Sequence, residues 1–323
     1  MTITNFQHGV SSFGSMVQPM YGAGIGNIYY VCQQANSAVY ADVKKKFAKH
    51  TYHGDGSNML HTTIASALSM GVSNREDYFI VCSDSSDYDC LTTNTMAARN
   101  SHLICPGGMG SNGMGMNSAR VHSTGDVPAF TLTADCTELA GFFIKGYVNT
   151  AANVLVSGTR WHVNIHDMFV GMSATSAGTA NYGIYGSQAN HASVHHNFVC
   201  NYSPGAVTGT NNAIAALIYL NGTRGIVADN ICLTGANTTV TSGMTIPLQN
   251  AVIARNYVME SCAISGGVAD AGTLTSGITG ANSVMIDNRI GVVANATSAV
   301  IGGTADLSFI HNFASSDGGT QCN

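Results

Sequence analysis

Three glutamates, twelve histidines and nine cysteines are among the residues of this chain from which acid–base, metal or thiol chemistry could be built. Glycoside hydrolysis uses two carboxyls within roughly 5–10 Å of each other, one protonated and one ionised. Glu76, Glu138 and Glu260 are far apart in sequence, and none repeats a position on neighbouring turns of the repeat described below. Lyase chemistry would use a carboxylate cluster for calcium and a basic side chain to take the proton, and no such cluster is visible. His162 and His166 would share one face of a strand but lie ~13 Å apart, too far for one ion. His195 and His196 are adjacent and would face opposite ways. A histidine pair across turns, such as His166 with His196, or a site on a trimer axis stays open, but the simpler reading is stacked or solvated imidazoles. Neither a metal nor a cofactor is expected. The glycine-rich run PGGMGSNGMGM (106–116) lacks the Lys-Ser/Thr ending of a phosphate loop and reads as a long turn whose Met109, Met114 and Met116 could pack on a partner. The cysteines are odd in number, scattered and without a CxxC, which suits free thiols in a reducing compartment better than a disulfide framework.

An internal repeat orders these residues. Six segments align on an amide or carboxylate: VNIHDMF (163–169), SVHHNFV (193–199), IVADNIC (226–232), VIARNYV (252–258), VMIDNRI (284–290) and SFIHNFA (308–314). The shared residues are Asp167, Asn197, Asn230, Asn256, Asn288 and Asn312, separated by 30, 33, 26, 32 and 24 positions. Constant strands joined by turns of varying length exclude a fixed-length solenoid and point to an all-β, right-handed parallel β-helix. In it the six residues would form an inward ladder bonding the backbone of the turns above and below. Strict alternation would put positions −4, −2 and +2 from the ladder residue in the core as well. ELAGFFI (138–144) fits one turn earlier, with Gly141 in the ladder place. Strands near 79–82, 102–105 and 129–133 would precede it, giving about ten turns and roughly 45–50 Å of stack. Position −1 points outward and reads His166, His196, Asp229, Arg255, Asp287, His311. That column could floor a groove, but it is more simply a surface ladder of opposite charges worth ~0.2–1 kcal/mol per pair.

Upstream, residues 1–27 read as an extended N-terminal arm. Residues 28–77 read as a strand, a polar insertion (33–57) and a short capping helix, and 78–323 as the β-helix proper. The helix is expected over 59–71, where Leu60, Ile64, Ala67 and Leu68 follow helical spacing between an N-capping Asn58 and Gly71. Only 9% of residues are charged, so small polar residues must cover the outside. The net charge of −5 lacks basic or acidic runs beyond Lys44, Lys45, Lys46 and Lys49, giving no footprint for nucleic acid. No apolar run is long enough to span a membrane, and the opening MTITNFQHGV does not read as a secretory signal. The Asn-x-Thr triplets at Asn221, Asn237 and Asn295 are expected by chance in so threonine-rich a chain.

Two stretches carry a resemblance. ITNFQHGVSSFGSMVQP (3–19) resembles the opening of a family of phage proteins encoded near capsid genes, which share an Ile-Thr-Asn … Gly-Val-Ser-Ser motif. The strand Gly26-Asn27-Ile28-Tyr29-Tyr30-Val31 is similar to that family's Gly-Asn-aromatic-aromatic-Val strand, which leads through a helix into a pectate-lyase-like β-helix. Between 33 and 57 the chain departs from the pattern, with a Lys-bearing insertion in place of a short Gly/Asp-rich loop. The resemblance implies a non-enzymatic virion protein assembled in the host cytoplasm, a homotrimer that decorates or cements the head. Its arm would bind the major capsid protein. The alternatives are a tailspike-like polysaccharide lyase or hydrolase and a glycan-binding attachment fibre. The cleaving reading is weakened by the missing carboxyl pair, and the fibre reading by sparse aromatics around the single Trp161 and by the lack of a recognisable C-terminal trimerisation module.

Overall fold

In the computed structural model the described residues are 26–33, 38–46, 58–84, 86–106, 118–146, 152–172, 181–200, 214–234, 239–260, 273–281, 283–291, 301–304 and 308–315. The chain winds as a right-handed parallel β-helix with three faces. One face is an eleven-stranded sheet running from Leu60–His61 through Ile28–Val31, Asp77–Val81, Ser101–Ile104, Thr137–Ala140, Asn164–His166, Ser193–His195, Ile226–Ala228, Val252–Ala254 and Val284–Ile286 to Ser308–Ile310. The other two hold nine and eight strands, and the paired strands of all three run parallel. A turn is therefore a short strand, a bend, a second strand, a third strand and a corner. The turn from Asn164–His166 through Phe169–Met172 and Asn181–Asn190 back to Ser193–His195 is typical.

The interior is a set of apolar columns. Ile165, Val194, Val227, Ile253 and Met285 stack on the first sheet, and Val170, Val199, Cys232, Val258 and Ile290 on the second, all fully buried. Burying such a side chain is worth ~1.5–3 kcal/mol, so each turn is stable only because the next one covers it. The core positions of the first sheet differ from strict alternation. Position −3 points inward, while Ile226, Val252 and Ile310 at −4 or −2 are 51%, 39% and 44% exposed. The cause is the residue at −1. His196, Asp229, Arg255, Asp287 and His311 all have φ between 51° and 56°, and one left-handed residue between strand and asparagine reverses the parity of everything before it. Position +2, beyond the bend, is inward as expected. A second left-handed column, Asn74, Asn100, Cys136, His162, His191, Arg224 and Asn250, lies at the corner entering the first sheet. Both bends keep the backbone paired between turns, as in Asp229 N donating to Ala254 O (3.0 Å) and His162 N to Asn190 O (3.0 Å).

The start of the stack is also built differently from the helix expected over 59–71. Only Ile64–Leu68 (α2) is helical, capped by Thr63, whose side chain accepts from Ser66 N. Leu60–His61 pairs instead with Tyr30–Val31, and Asn58 folds onto Leu60, accepting from its N–H and donating to its carbonyl. Ile64, Ala67 and Leu68 are buried among Tyr29, Phe79 and Met96, so α2 closes the apolar interior at this end. A helix over Ala38–Lys46 (α1) lies in the stretch read as a polar insertion, and Val39, Tyr40 and Val43 pack on the outer side of the first strands against Tyr30, Cys32 and Leu60. The division drawn at 77/78 falls inside the strand Asp77–Val81, which pairs directly with Ile28–Val31. The buried Asp77 carboxylate ties the two together, accepting from Asn27 N, Val72 N and the Arg75 guanidinium. The arm, apart from residues 26 and 27, lies outside the described residues, as do Met109, Met114 and Met116.

Candidate functional site

Five of the six aligned ladder residues come together. Asn197, Asn230, Asn256, Asn288 and Asn312 are buried one above the next. Each side-chain Oδ1 after the first accepts from both the backbone N–H and the Nδ2 of the asparagine one turn earlier, at 2.9–3.1 Å. Asn197 Oδ1 accepts from Met168 N at 3.1 Å. The second Nδ2 hydrogen goes to a strand carbonyl, for example Asn256 to Val227 O at 2.8 Å. Asp167 is not part of this ladder. Strand register pairs Ile165 with Val194 and Phe169 with Phe198, so Met168 occupies the ladder place and Asp167 the left-handed place beside it. Gly141 is corrected in the same way. Its φ of 83° puts it in the left-handed column, and Phe142 sits in the ladder place, its N–H reaching Met168 Sδ at 3.5 Å.

The outward column is therefore Asp167, His196, Asp229, Arg255, Asp287 and His311. His166 belongs to the strand and stacks on His195, with ring centroids 4.9 Å apart and planes within 7°. Within the column Arg255 grips Asp229 through two bonds of 2.7 and 2.6 Å, and His311 approaches Asp287 at 3.6 Å. The Asp229 carboxyl is held below its ordinary range by the Arg255 hydrogen bonds, against some burial.

The denser constellation lies earlier in the stack, on the outer side of the first sheet. Register stacks Tyr78, His102, Glu138 and Asn164 on successive strands. Glu138 sits between two imidazoles, with Oε2 2.6 Å from His102 Nδ1 and Oε1 2.8 Å from His166 Nε2. The far nitrogens continue the chain, His102 Nε2 to Glu76 Oε2 at 3.1 Å and His166 Nδ1 to Asp167 Oδ2 at 2.7 Å. A ring whose two nitrogens both face carboxylates is a double donor, hence an imidazolium. Burial pulls both histidines down, but the carboxylates override it, raising His102 and pushing His166 up to about 9. Burial likewise opposes ionisation of Glu138, yet the two imidazoles bring it down to about 2. His195 is lowered, first by burial and then by the neighbouring His166 and His196. Tyr78 stacks on His102 at 4.3 Å, and burial with the two glutamates pushes its hydroxyl up to about 12.

Beside this chain is a groove of about 320 Å³ lined by Glu76, His102, Glu138, His162 and Asn164 among others. Asn164 Oδ1 is buried without a hydrogen-bond partner. His162 contacts His191, which in turn contacts the 44%-exposed Trp161. The two carboxyls Glu76 and Glu138, unrelated in sequence, are thus bridged by one imidazole. Glu138 is ionised with both oxygens committed, so it is not the protonated acid that glycoside hydrolysis requires. Glu260 is in the strand Tyr257–Glu260, but its side chain is not among those described. Among the described residues no group of three His, Cys, Asp or Glu side chains is arranged to hold a metal ion. No helix among them is long and apolar enough to cross a membrane. Neither a scan against protein-family models nor a search of curated proteins finds a match to this chain.

Proposed function

We propose that the chain is a structural protein of a phage particle, a head decoration or cement protein without enzymatic activity, assembled in the host cytoplasm. The observation that carries this reading is the state of the lateral ionisable groups. Glu76, His102, Glu138, His166 and Asp167 bond one another in an unbroken chain across successive turns, and further along Arg255 grips Asp229 across a turn. That chemistry suits a stiff surface better than a catalytic cleft. In this reading the arm, residues 1–27, binds the major capsid protein, consistent with its phage-like motif. Multivalency from a homotrimer would multiply a modest affinity per arm. Self-association is supported by apolar side chains exposed on one sheet, Ile226 and Val252 as register partners on adjacent strands and Ile310 two strands further on. Deleting residues 2–25 is expected to leave the β-helix folded, by circular dichroism, and to abolish incorporation into heads. Normal incorporation of the truncated chain would overturn the proposal.

The groove beside Glu138, with the unpartnered Asn164 Oδ1 and the nearby exposed Trp161, favours one second reading, a glycan-binding attachment fibre. Glycan-array binding that W161A and N164A remove would select it. Release of reducing ends or unsaturated uronates from host polysaccharide would select the cleaving alternative.

A further inference from the structure

Cys32 and Cys82 are the one described cysteine pair that combines cross-strand juxtaposition with access to solvent. Strands Ile28–Val31 and Asp77–Val81 are in register, Val31 opposite Val81, and each cysteine is the next residue of its strand. Cys82 N donates to Val31 O at 2.8 Å, so the pairing continues to the cysteines themselves. Neighbouring strands run about 4.8 Å apart, inside the ~4.4–6.8 Å Cα separation that a disulfide accepts. Both side chains belong to the outer cluster with Tyr30, Leu60 and Val43. Cys32 is buried, Cys82 is partly exposed, and both thiols are free. The chain between them holds α1, the Leu60–His61 strand and α2, which is the whole cap.

We propose that Cys32 and Cys82 form a redox latch, a dithiol that a low-molecular-weight disulfide of the glutathione type oxidises to an intrachain disulfide fastening the cap to the first turn. Cys82 is the attacking sulfur because it is the partly exposed one of the two, and the hydrogen bond it shares with Cys32 favours its thiolate. Its thiolate attacks one sulfur of the small disulfide. That S–S bond breaks, one small thiolate leaves, and Cys82 is left in a mixed disulfide. Cys32 then gives up its proton and attacks the Cys82 sulfur, expelling the second small thiolate, which takes up a proton. Two protein thiols are oxidised and one small disulfide is reduced to two thiols. The other described cysteines are unsuited to this. Cys90, Cys105, Cys200 and Cys232 are buried, and burial pushes the partly exposed Cys136 up.

The test is to incubate the full, reduced chain with oxidised glutathione, alkylate the remaining thiols and map peptides without reduction. The expected product is a Cys32–Cys82 cross-linked peptide, with Tm raised by roughly 5 °C because the enclosed chain is constrained in the unfolded state. Cys32→Ser should stop at a glutathione adduct on Cys82, and Cys82→Ser should give neither adduct nor cross-link at Cys32. The wild-type peptide map decides the matter even if a variant fails to fold. A disulfide from either residue to Cys262 or Cys322, a glutathione adduct at Cys82 that never resolves, or both thiols still open to alkylation would each overturn the proposal.

Discussion

Glu138 is clasped between two imidazoles on the outer side of the first sheet, and each of its carboxylate oxygens is committed to one of them. Its side chain is 24% exposed and those of His102 and His166 are 19% and 17%, so their attraction is only partly screened by water. The pH dependence follows from the sign of each shift. His166 is raised from 6.5 to about 9, so its contribution is complete below about pH 6.5 and disappears as pH rises through about 9. Glu138 is lowered from 4.5 to about 2, so its contribution is complete above about pH 4.5 and disappears as pH falls through about 2. Both are in full effect between about pH 4.5 and 6.5. His195, lowered by burial and its histidine neighbours, opposes them there, because the unfolded chain protonates first. Wild-type Tm should therefore decline from about pH 6.5 to 9.5. His166→Gln should be less stable at pH 6 by on the order of 1–3 kcal/mol, have a shallower alkaline limb and meet the wild type above about pH 9. A wild-type Tm that stays flat across that alkaline range would falsify the doubly bonded imidazolium.

Elements of this fold are held in register by the bend between the first and second sheets, where a left-handed residue is followed by an inward asparagine. Asn256 shows what the bend requires. It accepts from the N–H and Nδ2 of Asn230 and donates to Val227 O and Asn288 Oδ1, all inside the stack. Asn256→Ala leaves the Asn230 N–H without its acceptor and Asn230 Nδ2, Val227 O and Asn288 Oδ1 each one bond short where water does not reach them, so a loss of ~2–4 kcal/mol is expected in urea unfolding. A loss under about 0.5 kcal/mol would mean the ladder is ornamental. Gly141 makes the complementary case. At φ 83° its absent Cβ would fall 2.1 Å from Cys105 O, so Gly141→Ala meets backbone on both conformational and steric grounds and should cost ~2–4 kcal/mol in the same assay. The ladder from Asn197 to Asn312 was legible in the sequence because an amide recurs after short apolar strands whatever the turn length. The phase of the core was not, since the residue forced to positive φ is His, Asp or Arg, and only Gly141 advertises its conformation. Asp167 misled because it precedes the first asparagine by a turn, where a methionine fills the ladder place. α1 left a trace in the helical spacing of Val39 and Val43, masked by the lysines that follow. Glu138 could not be matched to His102 and His166, which lie 36 and 28 positions away, until the irregular turn lengths were known.

For the molecule as a whole, stacking means that each turn is supported chiefly by its two neighbours, so stability is close to a sum of local terms along one axis. The end carrying α2 is the place to test that property. Ile64 and Leu68 close the interior over Tyr29, Phe79 and Met96, and Ile64 is only 2% exposed. Ile64→Ala removes three carbons from that lid and leaves a void the rigid first strands cannot collapse into, at a cost of ~2–5 kcal/mol. In a globule that loss would be shared by every amide. In this stack it should fall on the first turns. Hydrogen exchange of Ile64→Ala is expected to speed up at Tyr30, Cys32 and Tyr78, whose amides join the first strands, and to stay slow at Asn230 and Asn256, several turns away. Asn256→Ala should give the opposite pattern, with exchange rising around Asn230 and the α2 end unaffected. If both variants instead accelerate all protected amides to the same extent, the stack unfolds as one cooperative unit. Independent turns, and with them the idea that a latch at Cys32 and Cys82 secures only the cap, would then have to be abandoned.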